Sequence, residues 1–172
     1  FLLVSFKKNI LPESHIVSRY LDTVKFLGIE NDGQGLDFFL SENDKINLSN
    51  FPDNYISFAI GGQHATKILP TDKIISICKK LNKPILLIGG PDDQLRGEEI
   101  TNACKEVVNT CGKYTLLQSA FIIKQSDFII CHDTGMMHIA AAFKKKIFSV
   151  WGSTIPQFGM YPYMANEQSK II

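Results

Sequence analysis

The sequence of 172 residues lacks long apolar runs and any marked excess of one charge. No stretch reaches the roughly 18 consecutive apolar residues of a membrane-spanning helix, and no signal peptide is recognisable. Lys and Arg number 18 against 17 Asp and Glu, so no global field would attract nucleic acid. The longest basic run, Lys144 to Lys146, is expected to be a solvated helix end. With 45% hydrophobic residues, the chain should form a globular protein with a packed core.

Cysteine and histidine are scarce, and their spacing defines no metal or disulfide framework. None of the four cysteines belongs to a Cys-x-x-Cys pair, and the four histidines show no His-Glu-x-x-His spacing. A P-loop and a Gly-x-Ser-x-Gly motif are also missing. We therefore expect reduced thiols, a cytoplasmic protein, and a site that uses no metal and no other cofactor.

Strands and helices are predicted to alternate from residue 55 onward. Short apolar runs indicate strands at 55–60, 84–89, 107–112, 127–131 and 147–151. Helical segments separate them at 71–82, 93–106, 115–126 and 136–143, with Thr71 as the expected N-cap of the first. This alternation predicts an α/β fold, a Rossmann-like parallel sheet with helices on both faces and right-handed crossovers.

The first 54 residues follow a different pattern. They indicate a strand at 1–6, an amphipathic helix at 13–29 and a strand at 36–40, then a polar segment without periodicity. We interpret that segment as a boundary between residues 1–45, the end of one domain, and residues 46–172, a second domain. Because the sequence opens on an interior-like strand without Met and stops soon after "MANEQSKII", we expect it to be part of a longer protein.

Polar side chains cluster where the predicted strands end. They follow the first, second, fourth and fifth strands of the second domain: Gln63, His64 and Lys67; Asp92 and Asp93; His132 to Gly135 with His138; and Ser153 with Thr154. Ligands of parallel α/β sheets bind outside the carboxyl ends of the strands. The sequence therefore predicts that these groups converge on one site at one edge of the sheet.

The segment "CHDTGMMHIAAAF" at 131–143 carries the most informative of these groups. Asp-Thr-Gly also marks aspartic proteases, but that interpretation requires an all-β setting. At a strand-to-helix junction, Thr134 offers a hydroxyl, Gly135 allows close approach, and the helix N-terminus favours a phosphate or diphosphate. His138 would face the same anion or be a core histidine paired with a carbonyl. Asp133 would cap the helix or orient a neighbour.

Three further residues have both a structural and a functional interpretation. Lys67 alone would be an ordinary surface lysine, but beside an anion site it suits a phosphate. Asp93 would accept hydrogen bonds from ribose hydroxyls or cap the following helix. Thr154 offers a hydroxyl donor in a loop that could otherwise be a simple turn.

These motifs together resemble the heptosyltransferases of lipopolysaccharide core synthesis, glycosyltransferase family 9. The resemblance spans about residues 54 to 165 and rests on "GGQHATKILP", "LLIGGPDD", "DTGMMHIAAAF" and "SVWGSTIPQFGMYPY". It implies the C-terminal, donor-binding domain of a GT-B glycosyltransferase, preceded by the tail of the N-terminal domain and a connecting segment, "ESHIVSRYLDTVKFLGI". One departure is "FKKKI", which stands where the family more often has a Gly-x-Pro turn.

The resemblance implies inverting transfer of a heptose from an ADP-sugar to a lipid-linked lipopolysaccharide inner-core acceptor. Seven residues match the family's nucleotide-sugar-binding positions: Lys67, Asp93, Asp133, Thr134, Gly135, His138 and Thr154. Thr134, Gly135 and His138 would contact the diphosphate, and Lys67 would serve the phosphate. Thr154 would close the phosphate side, Asp93 would hold the ribose, and Asp133 would serve the sugar or its loop. The family's candidate base lies in an N-terminal region outside this sequence, so no catalytic residue is assigned and the chain alone should transfer little.

Two other functions remain open at this stage. A nucleotide-sugar-binding module without transferase activity would carry the same motifs. Another GT-B-like enzyme, such as a UDP-sugar epimerase, would place catalytic carboxylates and histidines in both domains and prefer UDP. A lipid-linked acceptor would bring the longer protein to the inner membrane as a peripheral protein, although the sequence contains no anchor.

Overall fold

A computed structural model describes residues 14–172, and the strand expected at 1–6 lies outside them. Within these residues, six strands form one sheet: β1 (Ile56–Ala59), β2 (Ile85–Ile88), β3 (Val107–Asn109), β4 (Phe128–His132), β5 (Lys146–Val150) and β6 (Lys170–Ile171). The α-helices of the same region are α1 (Ile16–Asp22), α2 (Thr71–Leu81), α3 (Gln94–Ala103), α4 (Leu116–Gln125) and α5 (Gly135–Ala142). All strand pairs are parallel, which confirms the predicted α/β fold.

The strand order places a crevice between β1 and β4. The sheet runs β3-β2-β1-β4-β5-β6, so the chain builds outward from β1 on one side and then returns to build outward from β4 on the other. The loop after β1 leads to α2, and the loop after β4 leads to α5 on the opposite face of the sheet. Loops that diverge in this way leave a gap at the carboxyl ends of the two strands, which is where open α/β sheets bind ligands.

Two apolar cores cover the two faces of the sheet. Alternate residues of β2 show the division, because Ile85 and Leu87 face one core while Leu86 and Ile88 face the other. Helices α2 and α3 cover the first face, and α4 and α5 cover the second. With Ala140 and Ala141 fully buried, α5 presents small side chains to the sheet. This close packing places the start of α5 beside the crevice.

The cysteines belong to these cores rather than to a site. All four are free and buried, and burial raises the pKa of the Cys78 and Cys111 thiols to about 12. Across residues 14–172, no three metal-ligating side chains come together into a possible metal site. No helix in the same range has the length and apolar character that crossing a membrane requires.

The expected helix at 13–29 is shorter than its apolar pattern suggests. Helix α1 ends at Asp22, a 3-10 turn follows at Lys25–Leu27, and Gly28 closes it with a left-handed φ of 75°. The apolar side of the pattern does not enter a core, since Tyr20 is 67% and Leu27 62% exposed. Helical periodicity alone was therefore misleading about burial here.

The strand predicted at 36–40 does not form. Phe38 instead packs edge-to-face against Phe143 at the end of α5, with 5.6 Å between ring centroids, and Phe39 is 85% exposed. This apolar run serves local packing, and within the described residues no strand pairs with it.

Two smaller predictions also need correction. Thr71 is not an N-cap: Pro70 occupies that position, and the Thr71 hydroxyl accepts a hydrogen bond from Arg96 Nε at 3.1 Å. The basic run is a solvated helix end only at Lys144, which is exposed and directly follows the C-cap of α5. Lys144 takes a left-handed φ of 54° and donates from Nζ to the Gln34 carbonyl, while Lys146 already belongs to β5. Lys144 thus makes the tight turn for which glycine is the usual residue.

Candidate functional site

A cleft of about 560 Å³ opens at the carboxyl ends of β1 and β2. Its lining includes the glycine pairs that follow these strands, Gly61–Gly62 and Gly89–Gly90, with Tyr114, Leu116 and Met136. The cleft therefore combines exposed backbone with apolar and aromatic side chains, a composition suited to a flat organic ring and its polar substituents. We call it the large cleft.

Asp93 lines the large cleft and stabilises the Gly89–Gly90 turn that forms part of its wall. Its Oδ2 accepts a hydrogen bond from the Gly90 N–H at 2.9 Å. A Cβ on Gly61 would lie 2.1 Å from the same oxygen, so any larger residue at this strand end would displace the Asp93 carboxylate. Asp93 is thus placed at the cleft, as its predicted contact with a ribose requires, but one of its oxygens already serves the turn.

A second, more polar cavity of about 310 Å³ adjoins the large cleft. The two share Gly62, Gln63, Thr134 and Gly135. The second adds His64, Lys67, Asp133 and His138 to its lining. We call it the polar compartment. Together the cavities offer an elongated site that is apolar at one end and carries ionisable groups at the other.

The start of α5 lies at the junction of the two cavities. Thr134 is the N-cap residue, yet its side chain makes no cap hydrogen bond, and its Oγ1 is buried without a partner among the described residues. The first N–H groups of any α-helix also lack partners within the helix. A Cβ on Gly135 would meet nothing within 4 Å, so space lies open beside the first residue of α5. An anion entering that space would satisfy the free backbone N–H groups and interact favourably with the helix dipole.

Asp133 ties three loops together at the polar compartment. Its Oδ2 accepts hydrogen bonds from Lys67 Nζ at 2.6 Å and from Thr154 Oγ1 at 2.8 Å. Asp133 is only 8% exposed, so the ion pair with Lys67 is largely shielded from water. Asp133 therefore orients its neighbours rather than capping α5. Of the two residues predicted to face a phosphate, Lys67 lines the compartment while paired with this carboxylate, whereas Thr154 contacts the carboxylate but is not part of the lining.

His138 is half-buried and lines the polar compartment instead of the apolar core. Burial lowers the pKa of its imidazole, the nearby Asp133 carboxylate opposes that effect, and His15 adds to it. A histidine with a pKa below its usual value is neutral near pH 7 and has one N–H to donate.

His15 and Gly152 support this region but were not predicted to do so. His15 accepts the Val17 N–H at Nδ1 and is 2.7 Å from the Tyr161 carbonyl at Nε2, which joins α1 to the loop after β5. A Cβ on Gly152 would lie 2.6 Å from the Thr66 carbonyl oxygen. The glycine in "WGST" was a visible signal of close backbone approach, whereas nothing in the sequence pattern distinguishes His15.

An open parallel sheet with glycine-rich strand ends and an anion-ready helix at its switch point is the architecture of nucleotide-binding α/β proteins. The chain belongs to glycosyltransferase family 9 (heptosyltransferase), whose family model matches residues 1–171. This family assignment agrees with the resemblance of its motifs.

Known relatives share sequence or fold with parts of the chain. Lipooligosaccharide heptosyltransferase 2 of Haemophilus influenzae is 34% identical over 79 residues, which are 43% of this chain and 23% of that protein. The glycosyl transferase family 9 structure from Veillonella parvula superposes with a TM-score of 0.78 at 20% identity, over 94% of this chain and 50% of that one. E. coli heptosyltransferase WaaC with ADP gives 0.70 at 22% identity, over 95% and 52%. The chain thus spans about half the length of these solved relatives, and the likeness supports the predicted GT-B fold.

Proposed function

We propose that residues 46–172 hold the nucleotide sugar of an inverting glycosyltransferase, which moves a heptose from an ADP-sugar to a lipopolysaccharide inner-core acceptor. Residues 1–45 would form the end of the preceding domain and its connection. The single observation that carries the proposal is that the large cleft and the polar compartment meet at the start of α5. The N-cap hydroxyl of Thr134 has no hydrogen-bond partner there among the residues that the structure describes. Two relatives support this choice of donor: the Haemophilus influenzae protein is a heptosyltransferase, and E. coli heptosyltransferase WaaC was solved with ADP.

The nucleoside would occupy the large cleft. Tyr114, Leu116 and Met136 would cover the base, and Asp93 would accept a hydrogen bond from the ribose. The diphosphate would then lie at the start of α5, where Thr134 Oγ1 and the first backbone N–H groups have no hydrogen-bond acceptor within residues 14–172. The sugar would extend into the polar compartment.

The chemistry requires stabilisation of the leaving group. As the acceptor oxygen attacks the anomeric carbon, the bond from that carbon to the β-phosphate oxygen breaks, and ADP leaves with the electron pair. Lys67, the N–H of His138 and the N–H groups at the start of α5 would stabilise the negative charge that develops on the phosphate. These donors are held by the fold before the reaction, so little reorganisation is needed.

The proton of the acceptor hydroxyl must pass to a base that we assign to a region outside these residues. Among the described residues lining the polar compartment, only Asp133 carries a carboxylate, and it is engaged by Lys67 and Thr154. The lipid-linked acceptor would also contact that other region, at the cytoplasmic side of the inner membrane.

Calorimetric titration with ADP, UDP and GDP tests the donor assignment. We expect ADP to bind best, and Lys67→Ala or His138→Ala to weaken it about tenfold or more, roughly 1.4 kcal/mol. Lys83→Ala is the matched control, because Lys83 is exposed and precedes β2 at the opposite edge of the sheet. A preference for UDP would favour the epimerase-like alternative, and a folded chain that binds no nucleotide would contradict the proposal.

A further inference from the structure

The loop between β1 and α2 carries Lys67 to the polar compartment but contains little regular structure of its own. Its one element is the 3-10 turn Ala65–Lys67, and Gly61 and Gly62 precede it. Glycines and an isolated turn leave a loop with many accessible conformations. The position of Lys67 Nζ must therefore depend on contacts from other elements.

Arg96 of α3 binds both ends of this loop. Its Nη1 donates to the Ile60 carbonyl at 3.0 Å, where β1 ends, and its Nη2 donates to the Leu69 carbonyl. Its Nε donates to the Thr71 hydroxyl at 3.1 Å, where α2 begins. The planar guanidinium thus fixes the distance between the start and the end of the loop.

His132 binds the same loop from the other side. It is 1% exposed, and its Nε2 accepts the Leu69 N–H at 3.0 Å. Leu69 therefore has its carbonyl held by Arg96 and its N–H held by His132. The residue after His132 is Asp133, which pairs with Lys67, so two successive residues at the end of β4 hold the loop at two points.

The chemical environment keeps His132 in the form that this contact requires. Burial lowers its pKa to about 4, the charge of Arg96 acts in the same direction, and the Gly61 backbone opposes them. A neutral imidazole has one nitrogen free to accept, whereas a protonated one has none.

We propose that His132 and Arg96 are positioning residues for Lys67: acting through Leu69, they fix loop 61–69 so that the lysine ammonium faces the phosphates of the donor. Neither side chain lines the large cleft or the polar compartment. The identity of the ligand rests on the proposed function. The hydrogen bonds that hold Leu69, from its N–H to His132 and from Arg96 to its carbonyl, do not depend on it, and we call this pair of contacts the clamp.

Hydrogen exchange at the Leu69 amide, measured by NMR without nucleotide, tests the clamp directly. We expect His132→Phe to accelerate exchange at Leu69 at least about tenfold and to leave α4 amides unchanged. His132→Gln, whose side-chain oxygen can replace Nε2 as acceptor, should restore slow exchange. Arg96→Lys provides a second variant, since it keeps the charge but loses the fork that spans Ile60 and Leu69. Unchanged exchange at Leu69 in folded His132→Phe and Arg96→Lys would overturn the clamp.

A double-mutant cycle then tests whether the clamp acts through Lys67. We expect His132→Phe to weaken ADP binding about fivefold in the native background but less than about twofold in Lys67→Ala, since coupled residues are not additive. Adenosine, which lacks the phosphates, should bind the native chain and His132→Phe equally. Additive losses for ADP would overturn the positioning role. A native chain that binds no ADP would contradict the proposed function, and the exchange experiment would still decide the clamp.

Discussion

Stability should depend on pH through His132 in a predictable direction. The pKa of this imidazole is lowered from 6.5 to about 4 in the folded protein, chiefly by burial. The unfolded chain therefore binds more protons than the folded one between these values, and the free energy of unfolding falls as the pH falls through this window. The contribution of His132 to stability is complete above about pH 6.5, and it declines as the pH falls from there to about 4.

The size of the effect follows from the two pKa values. Integrating proton binding from pH 7.5 to pH 5 gives a loss of about 2 kcal/mol from this one group. The complete loss, reached below the folded pKa, is about 3 kcal/mol at 1.36 kcal/mol per unit. Either figure is a substantial fraction of the stability of an ordinary domain.

Urea unfolding of the native chain and of His132→Gln at pH 7.5 and pH 5 measures this contribution. Glutamine can accept the Leu69 N–H but does not titrate, and all other ionisable groups, including His138, are common to both proteins. We expect the native chain to lose about 2 kcal/mol more than the variant over this interval. Equal losses would refute the argument that His132 is held neutral by its surroundings.

Three further substitutions have defined outcomes. Gly152→Ala should weaken ADP binding at least about threefold in calorimetry, because its Cβ would lie 2.6 Å from the Thr66 carbonyl oxygen and push two site loops apart; unchanged affinity would contradict this. Asp133→Asn should lower the free energy of unfolding by about 2 kcal/mol, since it leaves the partly buried Lys67 charge unpaired; a neutral effect in urea unfolding would show that the pair is not stabilising. Thr115→Ala should cost about 1 kcal/mol through loss of the α4 N-cap; an unchanged free energy of unfolding in urea would contradict this role of its hydroxyl.

The central strands were predictable because their sequences carry a strong local signal. The runs at 55–60 and 84–89 are apolar, short and closed by glycine, and they became β1 and β2 with ends shifted by one residue. The run at 36–40 has similar composition but packs against Phe143, so composition could not distinguish it. Strand β6 has two residues, too few for any periodicity to appear.

The site was predictable in its location and not in its contacts. Parallel strands bring their carboxyl ends to one edge, so the convergence of Lys67, Asp133 and Thr134 followed from strand order along the chain. The pairing of Lys67 with Asp133 joins residues 66 positions apart and depends on side-chain direction, which no local pattern encodes. The contacts of Arg96 could not be predicted for the same reason, since its partners lie in other elements.

A crystal structure of the chain with ADP would test the central claim most directly. We expect the adenosine in the large cleft and diphosphate oxygens within hydrogen-bonding distance of Thr134 Oγ1, the Gly135 N–H and Lys67 Nζ. A nucleotide bound with its phosphates away from the start of α5 would contradict it.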